Sequence, residues 1–249
     1  MTTTLLLRLA GPMQSWGTRS RFRDRDTGQE PSKSGVVGLL AATLGRTREA
    51  SVDDLAALRM GVRVDRPGSV QTDFQTAGAV HRVGDRYGVA RAENPGTDTA
   101  ISWRAYLADA SFLVGLEGTT PEQEDLLVEL NEALAAPVWP LFLGRKGYVP
   151  GWPIRLPDEP PHGPGLSSQS LEVALSTHAW VDEPSRRGAV PVDGRLRLVL
   201  EVRPGETGSQ ARNDQPLSFA SADRRFTTRY VVTRFIPRPH EATAGDGGR

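Results

Sequence analysis

The chain has 249 residues with 30 basic and 30 acidic side chains, a formal net charge of zero, and 28 arginines against only two lysines, Lys33 and Lys146. With 38% hydrophobic and 24% charged residues it has the composition of an ordinary soluble globular protein, which excludes wholesale disorder. A chain of this length buries roughly 70–75% of the surface its unfolded form exposes. The absence of cysteine excludes disulfides, thiolate nucleophiles and Cys-ligated zinc or iron–sulfur centres. With no run of eighteen apolar residues and no cleavable leader at the N-terminus, the expected location is the cytoplasm, away from membranes.

Residues 4–10 (TLLLRLA) read as a buried strand, followed by a polar, Arg-rich segment over 11–32. A helix is expected from Ser32 or Ser34 through Val36, Val37, Leu39, Leu40, Ala41 and Leu44, with Gly45 as its C-cap. Ser51-Val-Asp-Asp54 reads as a capping box that opens a short helix to about Arg59, and residues 60–66 alternate as a strand. Residues 77–99 are crowded with glycine and charge, with Val80, Val83, Tyr87 and Val89 as isolated apolar positions, and read as a projecting hairpin. Strand character follows at 103–106 and 110–116. Thr120-Pro121-Glu122-Gln123 then supplies an N-cap, a proline at the first helical position and a capping-box Gln. Leu126, Leu127, Leu130 and Leu134 continue that helix at helical spacing. This order is close to the βαββαβ order of a ferredoxin-like or RRM-type domain, an α+β fold.

Eight prolines between Pro137 and Pro164 mark an irregular crossing. Beyond it, residues 170–181, 195–203 and 229–236 alternate in the β manner, with strand partners that sequence alone does not assign. The expected division is an RRM-like domain over 1–155, a β-rich extension over 156–238 and a disordered tail over 239–249.

Zero net charge hides a segregated map. The first 48 residues carry eight basic against three acidic residues, whereas residues 117–132 carry six acidic residues and no basic one. Residues 211–240 are again basic, with six arginines against Asp214 and Asp223. A basic groove for a polyanion is one reading; polar loops and a solvated helix face are the other. The excess of Arg over Lys is explained equally by a GC-rich genome and by the planar guanidinium fork that suits phosphates and base edges.

Chemistry has few footholds. The four histidines, His81, His162, His178 and His240, lack metal-ligand spacing, so no metal or cofactor is expected. His81 shares the projecting hairpin with Arg82, Arg86 and Tyr87, which gives a general base in ribonuclease-like chemistry. Ser32-Lys-Ser-Gly35 at a helix start suits a phosphate, through free N–H groups, Lys33 and two hydroxyls, or is plain capping. Arg145-Lys146 sits in a glycine-flanked turn after an apolar strand. Trp16, Phe22, Trp103, Tyr148, Phe226 and Tyr230 interleave with basic residues, as stacking platforms for single-stranded bases do.

Five segments in order, LRLAGPMQSWG (7–17), PSKSGVVGLL (31–40), TDFQT (72–76), WRAYLADASF (103–112) and LFLGRK (141–146), resemble the CasD family, the fifth Cas protein of type I-E CRISPR Cascade complexes. The match covers about residues 5–146 and is loose beyond Gly151. The resemblance implies a RAMP protein, an RRM-like domain with a protruding β-hairpin thumb over 77–102, that caps the 5′ end of the guide-bearing complex and grips the 5′ handle of the CRISPR RNA. It implies CasC and CasA as neighbouring subunits and target DNA met only through the complex. Carried onto this sequence, Gln14, Ser15 and Trp16 face the handle and Lys33 and Ser34 take its phosphates. Arg19, Arg21, Gln75, His81, Arg82, Trp103, Arg145, Lys146, Arg224 and Arg225 complete the expected RNA contacts.

Type I-C relatives cut the precursor RNA themselves, while type I-E members resemble a non-catalytic subunit. The scarcity of Lys and the isolation of His81 fit binding without catalysis, with no catalytic residue assigned. The competing expectation is a metal-independent RNA-processing endoribonuclease. A third is an adaptor that docks a partner through the acidic Glu122–Glu132 helix.

Overall fold

A computed structural model describes residues 2–18, 24–77, 100–160, 162–180 and 194–239. Among the described residues, one sheet carries nine strands: β1 (Thr3–Gln14), β2 (Asp24–Arg25), β3 (Arg59–Arg66), β4 (Ser69–Ala77), β5 (Ala100–Gly118), β6 (Leu166–Ser167), β7 (Arg195–Val202), β8 (Gln210–Ser218) and β9 (Arg225–Pro237). Its main path runs β6-β1-β5-β3-β7-β9-β8, with β2 and β4 paired to the outer part of β5. The first four positions of that path give the antiparallel order of a ferredoxin-like unit, in which β1 and β3 flank the third strand β5. Strand β7 continues the same sheet by pairing with β3, Val62 opposite Val199.

Helix α1 (Lys33–Thr43) starts where the hydroxyl of Ser32 accepts the Gly35 N–H, and stops at Gly45, whose φ of +69° suits glycine. Helix α2 (Asp53–Ala57) is shorter than expected, and the Ser51 hydroxyl accepts from Asp53 N–H. Helix α3 (Pro121–Ala133) has its capping box: Thr120 Oγ1 accepts from Gln123 N–H while Gln123 Oε1 accepts from Thr119 N–H at 2.9 Å. The expected strands at 103–106 and 110–116 are parts of the single β5, interrupted in pattern by Asp109 at φ +58°. The first three strands of the ferredoxin-like order bury Leu5, Leu7, Leu9, Met60, Val62, Phe112 and Val114 in the main core, which also takes apolar side chains of α1 and α3.

Two expectations need correcting. The strand expected over 170–181 does not form among its described residues; Leu171–Thr177 form a helix, α4, because Leu171, Ala174 and Leu175 fall at helical spacing and all bury. Leu141-Phe-Leu143 is irregular backbone rather than a strand, and β8 had no sequence signal, its burial being interrupted and its pairing bulged. The hairpin over 77–102 is described only in its stem, where Ala77 pairs with Ala100 and Phe74 with Trp103; residues 78–99 and the tail over 240–249 lie outside the described residues.

Helix α4 lies over the second face of the sheet. There Leu171, Ala174 and Leu175 join Leu6, Leu113, Leu198 and Leu200 in a second core. Gly61 and Gly115 are direct partners across β3 and β5, and a Cβ on either would come within 2.7 Å of Leu175 or 2.6 Å of Leu171. The paired glycines make the hollow that the two leucines fill. Opposite charges hold the helix ends: Glu117 accepts the Leu171 N–H at 2.8 Å, and the buried Arg63 donates to the carbonyls of Leu175, His178 and Ala179 while pairing with Asp65 at 2.6 Å. Anion at the start and cation at the end match the helix dipole. RRM domains stack bases on this face of the sheet; here α4 occupies it.

Arg63→Met leaves Asp65 charged, buried and unpaired, so it should cost about 3–5 kcal/mol in urea unfolding, and Arg63→Met/Asp65→Leu should recover a substantial part. His178, beside the same carbonyls, is held below its ordinary 6.5 by burial above all. The unfolded chain therefore takes up a proton before the folded one, so stability present at neutral pH falls as pH drops below about 6.5 and levels off below the folded value. His178→Asn should flatten part of that pH dependence, with His162, also lowered by burial, keeping some of it.

Candidate nucleic-acid interface

Where α1 begins, its positive end is closed from inside the protein. The backbone N–H of Lys33 donates to Asp214 at 2.8 Å, and Asp214 is gripped by Arg229 at 2.7 and 3.0 Å. The Lys33 ammonium, 1% exposed, donates to both oxygens of Glu201 at 2.9 and 3.0 Å, and Arg229 approaches Glu201 at 3.7 Å. Burial pushes the Lys33 ammonium below its ordinary value, and the Glu201 charge opposes that shift. These contacts tie α1 to β7, β8 and β9. They also replace the expected phosphate site: an internal carboxylate already sits at the helix start, and Lys33 points into the protein.

The LAGPMQSWG segment folds inward as well. Gln14 is fully buried, donating to Leu9 and Ala110 carbonyls and accepting from the Trp16 indole N–H at 3.1 Å. Trp16 lies against α1, where a Cβ at Gly35 would meet its ring at 2.8 Å. The Ser15 hydroxyl donates to Ala105. Its backbone packs on the glycine-flanked turn: Ser15 N–H donates to Leu143 O, and Gly144, at φ +91°, passes so close to the Ser15 carbonyl that no side chain fits. Trp16 N–H donates to Thr27 Oγ1 and Gly28 N–H to Trp16 O, joining the two sides of the sequence stretch in which Arg19 and Arg21 occur. Those two arginines, like His81 and Arg82, lie outside the described residues.

Beside this framework opens a cleft of about 430 Å³ between α1, the 139–146 loop and the β8–β9 connection. Ser34, Gly35 and Gly38 of α1 and the Ser15 backbone region floor it; Arg46, Arg48, Lys146 and Arg224 bring positive charge; Trp139 and Phe219 bring rings. Lys146, Arg48, Arg224 and Trp139 are exposed, whereas Arg46 is fixed by a bidentate pair with Asp54 at 2.5 and 2.6 Å. Arg224 stacks over Phe226 at 5.3 Å, and Phe226 packs on Phe219.

The family model described as CRISPR-associated protein (Cas_Cas5) matches residues 4–232. The chain belongs to the Cas5 family. It is 37% identical over 154 residues to the CRISPR system Cascade subunit CasD of Escherichia coli (strain K12), a match that spans 59% of this chain and 66% of that protein. Among solved structures, it is similar to a chain of a CRISPR RNA-guided surveillance complex, with a TM-score of 0.73, 35% identity and coverage of 98% of this chain and 94% of that one. It is also similar to a Cas protein crystal structure with a TM-score of 0.69 and 42% identity, over 95% of this chain and 98% of the other. The mixed fold built on a large antiparallel sheet agrees with both.

In this Cas5 protein, of the expected contacts, Ser15, Trp16, Ser34, Lys146 and Arg224 gather at the cleft, though Trp16 is 1% exposed. Arg145 is a strut, donating to the Arg25 and Asp26 carbonyls, and Arg225 pairs with Asp223 at 2.8 Å. Gln75 donates to Asp73, and Trp103 stands exposed on the hairpin stem in an edge contact with Phe74 at 5.6 Å. Arg46, Arg48, Trp139 and Phe219 were not anticipated: the first two follow the α1 cap, and Trp139 is hidden among prolines. Glu201→Gln strands a buried ammonium and should cost about 3–5 kcal/mol in denaturant unfolding. Lys33→Met should cost clearly less, because Glu201 keeps the Met60 N–H at 3.2 Å and Arg229.

Proposed function

We propose that this Cas5 protein is a non-catalytic subunit of a CRISPR RNA-guided surveillance complex and that it holds the 5′ handle of the CRISPR RNA in the cleft beside α1. The observation that carries this reading is the convergence of exposed Arg48, Lys146 and Arg224 with Trp139 and Phe219 around one opening. Cations fix phosphates and rings stack unpaired bases, the combination that single-stranded RNA needs. The likeness to a Cascade subunit and to a chain of a surveillance complex supports the same assignment. CasC and CasA are the proposed neighbours, target DNA is met through the assembled complex, and the complex works in the cytoplasm. The RRM-like domain over 1–155 supplies the α1 side of the cleft, and the extension over 156–238 supplies the β8–β9 side.

Binding without cutting fits the described histidines. His178 is turned onto the Ala179 carbonyl at 2.9 Å beside Arg63, and neither it nor His162 lines the cleft. The test is affinity for a repeat-derived handle oligonucleotide across salt concentrations. Arg48→Glu/Lys146→Glu should weaken binding at least tenfold and flatten the log–log salt slope by about 1.4, two phosphates at about 0.7 each. Unchanged affinity and slope would sink the cleft assignment, and specific cleavage of repeat RNA in chelator would establish the endoribonuclease instead.

A further inference from the structure

The LRLAGPMQSWG and WRAYLADASF segments also meet away from the cleft, at one level of β5. Asp109 there has φ +58°, the only positive φ outside glycine among the described residues, in a region that aspartate tolerates and β-branched residues do not. At that level β5 changes partner: Arg66 of β3 pairs with Ser111, and Ser69 of β4 with Ala108. Gly68, between the two strands at φ +68°, comes so close that a Cβ would meet the Ala108 carbonyl at 2.5 Å. On the other edge, the β1 register sets Pro12 opposite Asp109, and proline has no N–H for the ladder. Both edges are braced. Arg66 pairs with the Asp109 carboxylate at 3.4 Å, and the buried Gln14 donates to the Ala110 carbonyl at 2.7 Å.

This bend resets the alternation of β5. Ala110, Phe112, Val114 and Leu116 bury in the main core, so strict alternation would send Leu107 to the α4 side with Leu113; instead Leu107 joins the main core. Beyond Leu107 the alternation carries that side on to Trp103 and Ile101. Directly opposed pairs carry it to Val70, opposite Leu107, and to Phe74, opposite Trp103. Val70, Phe74, Ile101 and Trp103 are 39–62% exposed and form an apolar row on the side of the sheet that α1 covers, the side on which the cleft opens. We propose that Asp109 is a positioning residue: its left-handed backbone, braced by Arg66 and Gln14, turns the β4–β5 stem so that this row lies on the cleft's side of the sheet and extends the path of an RNA strand held there. The extension of the RNA path rests on the reading of the cleft as the handle site; the geometric role of Asp109 does not.

The chain lacks cysteine, so Gln71→Cys on the stem and Asp125→Cys on α3, both exposed, can carry nitroxide labels in the full-length protein for pulsed electron–electron distance measurement. The protein with Asp109 and its Asp109→Asn variant, in which the left-handed backbone is tolerated, should give the same single distance. Asp109→Val should shift or broaden it, and Asp109→Ala should do so to a smaller degree, which supplies the readout if the valine variant does not fold. In binding, a handle oligonucleotide extended by several nucleotides at one end or the other should bind about tenfold tighter than the handle alone, the worth of one stacked base. Trp103→Ser and Asp109→Val should each abolish that gain, and together no more than singly. Unchanged distances in both Asp109→Val and Asp109→Ala would overturn the positioning role, whatever the loss of stability. No gain from either extension, or a gain that survives Trp103→Ser, would overturn the extended RNA path. Failure of the unsubstituted protein to bind the handle at all would instead sink the reading of the cleft, and the distances would still decide the role of Asp109.

Discussion

The arrangement of this protein depends on one buried charge network, in which Asp214 closes the start of α1 while Arg229 and Lys33 share Glu201. A helix start needs an anion or a hydrogen-bond acceptor, and a buried ammonium needs a carboxylate. Both needs are met by residues from β7, β8 and β9. The C-terminal strands are thereby pinned to a helix that belongs to the N-terminal ferredoxin-like order. The β8–β9 connection, carrying Phe219 and Arg224, is placed across from the Lys146 turn, and the cleft exists because these two sides are held at that separation.

The same economy of charge bears on the proposed RNA site. Among the described residues, α1 and α3 pack on one side of the central strands, and α4, held by Glu117 and Arg63, packs on the other. On the proposed reading, a nucleic acid that in an RRM domain would lie on the sheet meets this protein at the rim, where loops rather than strands present the side chains. Many of the arginines that suggest a polyanion in the sequence are struts. Arg63 holds a helix end, Arg197 and Arg212 converge on Glu30, and Arg229 grips Asp214. The cations left facing the cleft come from the loops after α1, around Lys146 and before β9.

Local signals were read well and long-range ones were not. Ser32, Gly45, Thr120 and Gln123 act within a few residues of themselves, so the starts of α1 and α3 and the end of α1 followed from the sequence. Residues 170–181 alternate loosely enough to pass for a strand, and only the hollow above Gly61 and Gly115, supplied by other strands, makes Leu171 and Leu175 neighbours on a helix. Lys33 reads as a phosphate ligand because its motif sits at a helix start; its true partners, Glu201 and Asp214, lie 168 and 181 residues away. The resemblance of residues 7–17 and 31–40 to CasD proteins reported the family correctly, while the buried Gln14 and Trp16 show that such motifs build the framework beside the cleft as well as its surface. Trp139 and Phe219 carried no sequence signal, since each becomes a cleft residue only when two distant loops meet.

The most direct test of a strand bound in the cleft is photo-crosslinking. A handle oligonucleotide carrying 4-thiouridine at successive positions would be irradiated with the full-length protein and the modified peptides identified by mass spectrometry. Crosslinks should fall on Trp139, Lys146 and the Phe219–Arg224 segment. Crosslinks confined to α4, with none at the cleft, would contradict it.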